Sequence, residues 1–148
     1  MSIIKPLAQN HLEQVYQIGQ DCLPGEAWSF GSIAAELDNP NSATFVAVED
    51  DKVIGFINAH FVLDECYLNN MAVVSHYRKH GVGNSLIEAL MQFAERKDFA
   101  FITLEVRKSN QNAISFYEKH GFVFVGERKN FYDHPNENAL LFTKKYKD

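Results

Sequence analysis

Cysteine is scarce in this 148-residue chain. Cys22 and Cys66 lie in separate segments and outside any C-x-x-C spacing, which argues against a disulfide framework, a redox pair or a zinc knuckle. No H-E-x-x-H or similar pattern joins the six histidines, so no metal is expected. No apolar run approaches the roughly 18 residues of a membrane span, and no basic-then-apolar signal opens the chain. Basic residues are outnumbered: the net charge of −5 argues against sequence-independent binding to nucleic acid. Repeats and Pro-, Ser- or Gly-rich linkers are also lacking. These absences lead us to expect one cytoplasmic domain spanning residues 1–148, with no membrane or nucleic-acid partner, as a monomer or homodimer.

Large apolar side chains are plentiful. Twelve Phe, six Tyr and one Trp are enough for a core without a disulfide or metal staple. Ser2 to Leu7 reads as a strand, and Gln9 to Cys22 as a helix that Pro24-Gly25 ends. Ser29 is a plausible N-cap for a second short helix that stops before Asn39-Pro40. Ala43 to Glu49 and Lys52 to Leu63 read as strands joined by a tight turn at Asp50-Asp51, and Tyr67 to Val74 as a third. A helix follows with Val82, Leu86, Leu90, Met91 and Ala94 on its apolar face. From Ala100 to Val106 a strand turns Ile102, Leu104 and Val106 to one side, and Phe101, Thr103, Glu105 and Arg107 to the other. Asn110 caps a helix through Lys119, with Gly121 as its left-handed terminus. Strands near Val123 to Lys129 and Leu140 to Tyr146 finish the chain. The order β-α-α-β-β-β-α-β-α-β-β is that of an α/β fold: a mixed sheet with helices on both faces.

Between the third strand and its helix lies Arg78-Lys79-His80-Gly81-Val82-Gly83. Glycines admit an anion close to the backbone, the helix N-terminus favours negative charge, and Arg78 and Lys79 add positive charge. That chemistry suits a pyrophosphate. No Lys-Ser or Lys-Thr follows the second glycine, so this is no Walker A loop, and a dinucleotide fingerprint would need a third glycine. Two glycines alone are equally a plain strand-to-helix turn.

The flanks are more specific. Tyr67-Leu-Asn-Asn-Met-Ala-Val-Val-Ser-His-Tyr-Arg-Lys-His-Gly-Val-Gly-Asn-Ser-Leu-Ile resembles the central motif of the GCN5-related N-acetyltransferase superfamily. That motif is an apolar strand ending in Val, an aromatic, then [Arg/Gln]-x-x-Gly-x-[Gly/Ala] opening a helix. A second block, Leu104-Glu-Val-Arg-Lys-Ser-Asn-Gln-Asn-Ala-Ile-Ser-Phe-Tyr-Glu-Lys-His-Gly-Phe122, stands at the family's spacing. Leu-Glu-Val-Arg followed by Ser-Asn-x-x-Ala-x-x-x-Tyr-x-x-x-Gly-Phe is similar to the bacterial RimI type, whose members acetylate the N-terminal alanine of small-subunit ribosomal protein eighteen. Trp28-Ser29, Leu63-Asp64-Glu65 and Asn130-Phe131-Tyr132 are further matches. Glu137-Asn138-Ala139 departs from the Glu-Asp-Ala that family members often carry.

The resemblance implies a mostly antiparallel mixed sheet, acetyl-CoA as acyl donor, and a protein N-terminus, that of a ribosomal protein, as acceptor. It implies a cofactor side of Met71, Ala72, Val73, Arg78, Lys79, His80, Gly81, Val82, Gly83, Asn84 and Asn110, with the Met71 N–H polarising the thioester carbonyl. Asn110 is equally a plain helix cap. Glu105 is the implied general base and Tyr117 the implied acid, with Trp28, Glu65, Arg107 and Tyr132 on the substrate side. From residue type alone, Glu105 is equally a solvated strand residue, and Tyr117, Trp28 and Tyr132 equally core aromatics. At pH 7 deprotonation costs about 1.4 kcal/mol for an α-amine and about 4.6 for a lysine, so a lone Glu suits a terminus better. Two other readings remain at this point: acetylation of a lysine, polyamine or antibiotic amine, and a non-catalytic acyl-CoA sensor.

Overall fold

The computed structural model describes residues 2–148. Its strands are β1 (Ile3–Pro6), β2 (Ser42–Glu49), β3 (Lys52–Val62), β4 (Glu65–Val73), β5 (Phe101–Arg107), β6 (Val123–Tyr132) and β7 (Glu137–Lys145). The helices are α1 (Leu12–Cys22), α2 (Phe30–Ala35), α3 (Val82–Arg96) and α4 (Gln111–Lys119). One seven-stranded sheet runs β1-β2-β3-β4-β5-β7-β6. Every neighbouring pair is antiparallel except β4 and β5. That is the mixed, mostly antiparallel sheet expected, in the expected order.

Local chemistry accounts for the joints. Asp50 and Asp51 both take positive φ, 50° and 63°, the requirement of a two-residue hairpin turn whose twist matches its strands. Ser29 Oγ accepts from Ser32 N–H at 3.1 Å, and Asn110 Oδ1 from Ala113 N–H at 3.2 Å, so α2 and α4 are capped as read. β6 and β7 extend beyond the expected strands: Phe131, Tyr132, Glu137 and Asn138 are strand residues.

The sheet separates two apolar layers. α3 and α4 cover one face, with Leu86, Ile87, Leu90, Ile114 and Tyr117 packed on Ile102, Leu104 and Val106 of β5. α1 and α2 cover the other, where Leu12, Val15, Ile18 and Ile33 meet Val46, Phe56 and Ala72. Ile102 is wholly buried, and its truncation to Ala would cost about 2–5 kcal/mol.

Two irregularities of β4 shape the functional region. Its parallel pairing with β5 is confined to Glu65–Tyr67 against Phe101–Thr103, after which the strands part. In its pairing with β3, Ala59 faces Leu68 while Asn58 faces Asn70, leaving Asn69 as an extra residue, a β-bulge. The bulge changes which residues face where. Before it, Cys66 and Leu68 enter the α3 layer; after it, Met71 and Val73 pack on that layer and Ala72 turns to the other. The backbone switches with the side chains. Val74 N–H donates to Ile54 O at 2.9 Å, so Ala72 and Asn70 also turn toward β3. Met71 and Val73 therefore direct their N–H groups toward the side that β5 has left.

Candidate active site

The parting of β4 and β5 opens a cleft with two arms. The first, of about 520 Å³, runs along Met71, Ala72 and Val73 to Arg78, Lys79, Gly81, Gly83 and Asn84. The second, of about 630 Å³, lies over Glu105, Arg107, Asn110 and Tyr132, with Glu26 and His134 at its rim. Cys22, Leu23, Met71, Ala113 and Tyr117 border both arms, so they meet beside the Met71 backbone and the Tyr117 side chain.

At the far end of the first arm the chain is shaped for an anion. Gly81 caps α3 in the left-handed region at φ +82°, and Lys79 is left-handed at +66°. Ser85 N–H is bonded to Gly81 O at 3.0 Å, so the N–H groups of Val82, Gly83 and Asn84 precede the first intrahelical bond. Those amides, the helix dipole and the Lys79 side chain together favour a pyrophosphate. The groups present thus fit acetyl-CoA: amides and cations for its phosphates, and an open strand edge for its amide-bearing arm. Arg78 does more than add charge. Its Nε donates to Val73 O at 3.0 Å and staples the loop to the end of β4.

Not every residue expected on this arm points into it. The Val82 side chain is buried in the α3 layer, leaving its N–H for the arm. His80 borders a separate cavity with Ser2, Glu49, His76 and Tyr77. Asn84 Oδ1 is bonded to His120 Nε2 at 2.8 Å, which ties α3 to α4. Asn110 caps α4 and borders the second arm. Sequence reasoning missed the opposite wall, Asn112, Ala113, Phe116 and Lys119 of α4. A Cβ on Gly83 would sit 3.5 Å from the Phe116 ring, in ordinary contact, so Gly83 faces the α4 wall of the arm. The signal was available: the Asn110 cap fixes the start of α4, and helical periodicity then places Ala113, Phe116 and Tyr117 on one side.

The second arm holds the titratable groups. Glu105 Oε2 is buried and makes no hydrogen bond among the described residues. Burial pushes the Tyr132 hydroxyl up to about 12, and the Glu26 and Glu105 charges add to the shift. Burial, then the Tyr132 charge, raises Tyr117 well above the ordinary phenol value of 10.0. Tyr117 therefore keeps its proton throughout the neutral range.

Three residues expected on the substrate side have protein partners of their own. Arg107 is a clamp: Nε donates to Glu26 at 3.1 Å, Nη1 to Pro135 O and Glu137, and Nη2 to Asp133 O. Its guanidinium also covers the Tyr132 ring at 4.4 Å, so it builds the wall of the arm. Trp28 lies behind that wall, against His60 at 5.6 Å and lining a small cavity with Ile33 and Phe56. Glu65 is exposed at the start of β4, hydrogen-bonded by the Tyr67 hydroxyl at 2.7 Å. Six residue steps along the strand, roughly 20 Å, separate it from Met71. Tyr132 alone of the four presents its ring directly to the arm.

Among the described residues, no three His, Cys, Asp or Glu side chains group as a metal site, and no helix is long and apolar enough to cross a membrane.

Known proteins share this architecture. The chain is 36% identical to the [ribosomal protein bS18]-alanine N-acetyltransferase of Haemophilus influenzae, across 95% of this chain and 97% of that protein. The crystal structure of the ribosomal-protein-S18-alanine N-acetyltransferase from Escherichia coli superposes with a TM-score of 0.91 at 31% identity, covering 100% of this chain and 96% of that one. At 20% identity, Arabidopsis thaliana NAA60 in complex with acetyl-CoA shares the fold, with a TM-score of 0.90 over 99% of both chains. Residues 12–122, from the start of α1 to the end of the second motif block, match the acetyltransferase (GNAT) family. The chain belongs to that family and is an acetyltransferase.

Proposed function

We propose that this chain transfers the acetyl group of acetyl-CoA to the N-terminal alanine of ribosomal protein bS18, using residues 1–148 as one catalytic domain. The observation that carries the reading is the meeting of two arms beside the Met71 backbone and Tyr117. One arm suits a phosphorylated donor, and the other holds an unpartnered carboxylate, as an amine acceptor requires. The choice of acceptor follows relatives at 36% and 31% identity whose names specify it. A ribosomal acceptor goes with a cytoplasmic enzyme.

Acetyl-CoA, when bound, supplies an acyl carbon already activated as a thioester. The Met71 N–H, turned into the cleft by the bulge, polarises the acyl carbonyl. Lys79 and the N–H groups of Val82, Gly83 and Asn84 hold the pyrophosphate. Glu105 takes the proton of the α-amine, directly or through water, the less demanding of the two amine deprotonations considered above. Tyr117 donates to the departing sulfur. That hydrogen bond strengthens as negative charge develops on the sulfur, while the raised pKa of Tyr117 makes full transfer to a thiolate of ordinary pKa near 8.5 uphill. A buried Glu105 oxygen with no partner and a protonated Tyr117 also favour catalysis over an acyl-CoA sensor.

Mass spectrometry of acetyl transfer to a panel tests the acceptor. An alanine-starting bS18 peptide should gain 42 Da, about one acetyl group, and the same peptide formylated at its terminus should not. Lysine peptides, spermidine and an aminoglycoside should react far more slowly. Acetylation of the blocked peptide at its lysines would replace this acceptor with a side-chain amine.

A further inference from the structure

No step of acetyl transfer uses the Cys22 thiol, yet it stands where the cofactor's own sulfur arrives. Cys22 is the last residue of α1, half-buried and free. Its Sγ lies 3.7 Å from Val73 O, the carbonyl that also accepts from Arg78 Nε at 3.0 Å. Val73 and Met71 are two residues apart on β4, about 7 Å, and both border the first arm together with Cys22. Coenzyme A with its phosphates at Lys79 and the start of α3, and its acyl end at the Met71 N–H, brings its sulfur into this stretch. Cys22 also borders the second arm, which opens from the same junction. A molecule with a nucleotide on one side of a sulfur–sulfur bond and a second chain on the other therefore fits across the junction, one half in each arm. Tyr117, 7% exposed, borders both arms as well, and its hydroxyl makes no hydrogen bond among the described residues. Cys66, the other cysteine, is wholly buried in the α3 layer and borders neither arm.

We infer that Cys22 is a site of mixed-disulfide formation with coenzyme A, the co-reactant being coenzyme A disulfide lying across the two arms. The Cys22 thiolate attacks the sulfur of the half held in the first arm. The bond between Cys22 and that sulfur forms as the original S–S bond breaks. The half in the second arm leaves as a thiolate and takes up the proton that Cys22 gave up. Cys22 is oxidised and the departing half reduced, so the exchange balances with no other oxidant. The free Tyr117 hydroxyl is placed to donate to the departing thiolate, as proposed for the sulfur leaving acetyl-CoA. The product fills the first arm with a covalently held nucleotide and excludes acetyl-CoA until another thiol reverses the exchange. This rests on the reading of the first arm as the acetyl-CoA site, but not on the identity of the acceptor amine.

The decisive measurement needs no acceptor. The full chain treated with coenzyme A disulfide, and weighed intact without reductant, should carry one coenzyme A, and peptide mapping should place it on Cys22. Cystamine has the same sulfur–sulfur bond without the nucleotide. It should modify Cys22 at least about 10-fold more slowly, because nothing holds it beside the thiol. Saturating acetyl-CoA should protect Cys22 from coenzyme A disulfide. The modified protein should have lost transfer to whichever amine the panel identifies, and dithiothreitol should release the adduct and restore it. Cys22→Ser should form no adduct, and once free disulfide is removed it should work at the rate of untreated Cys22→Ser. Modification as fast with cystamine, or undiminished by acetyl-CoA, would make Cys22 an ordinary exposed thiol and overturn the inference. So would a coenzyme A adduct that persists in Cys22→Ser, or full transfer by the modified protein. Melting curves separate this from the reading of the first arm. Stabilisation by acetyl-CoA without any Cys22 adduct overturns the covalent step alone, whereas no stabilisation overturns both.

Discussion

Glu105 and Tyr117 reach the cleft from different elements and face opposite proton traffic. Glu105 stands on β5, where the strand has left its partner and one carboxylate oxygen remains without a hydrogen bond. Tyr117 comes from α4 and is kept protonated by burial. Replacing Glu105 by Gln should lower the rate about 10²–10⁴-fold. Raising the pH toward 8 should restore part of it, since more α-amine is then already neutral. Tyr117→Phe should also slow transfer, by about 10²-fold or more, and higher pH should not help because the missing group is the hydrogen-bond donor to the departing sulfur. Both variants should keep the stabilisation given by acetyl-CoA, about 2.7 kcal/mol at a hundredfold excess over Kd. A pH–rate series with melting curves checks all three. Wild-type turnover by Glu105→Gln at neutral pH would move the base to an ordered water.

At the scale of elements, Asn138 explains a departure from the family pattern. It bridges β6 and β7 where their register shifts: Oδ1 accepts from Asn130 N–H at 2.9 Å and Nδ2 donates to Glu127 at 2.6 Å. That donation, followed by the one from Lys108, holds the Glu127 carboxyl below its ordinary value. Asn138→Asp would set two carboxylates together, so the melting temperature should drop at pH 7. The deficit should shrink as pH falls through about 4.5, where one of the pair takes up a proton. Equal melting temperatures at pH 7 would refute this account. Such pairings show how far the sequence could be read. Asp50-Asp51, the Ser29 and Asn110 caps and the alternation of β5 depend on neighbouring residues, and local pattern recovered them. The Asn69 bulge depends on how β3 aligns with β4, and the cleft on where β5 leaves β4; neither is encoded in a single segment's periodicity. The same gap hid what fixes Arg107 and Trp28: Glu26, Pro135, Glu137 and Asn70 hold them through contacts distant in sequence.

For the whole molecule, the buried titratable groups set a pH window of stability. Burial holds His11 and His120 below their ordinary value of 6.5. The unfolded chain therefore takes up protons first, and stability is lost as pH falls below about 6.5. At the alkaline end the direction reverses. Burial pushes the Cys66 thiol up from 9.0 to about 12, and the Tyr132 and Tyr146 hydroxyls up from 10.0 to about 12; Tyr117 is raised as well. The unfolded state then ionises while the folded state does not, so stability present below pH 9 declines as pH rises toward 12. Cys66 has the lowest unfolded pKa of this group and starts the decline. It is wholly buried in the α3 layer, so Cys66→Ala leaves a small void and should lower the melting temperature at pH 7.5. The same change removes the first alkaline transition, and the onset of the decline should move from about pH 9 toward pH 10, where the tyrosines take over. Melting curves from pH 5 to 11 on both proteins separate the effects, since the void lowers the plateau and the thiol sets where it ends. An unchanged onset in Cys66→Ala would mean that the alkaline limit belongs to the tyrosines alone.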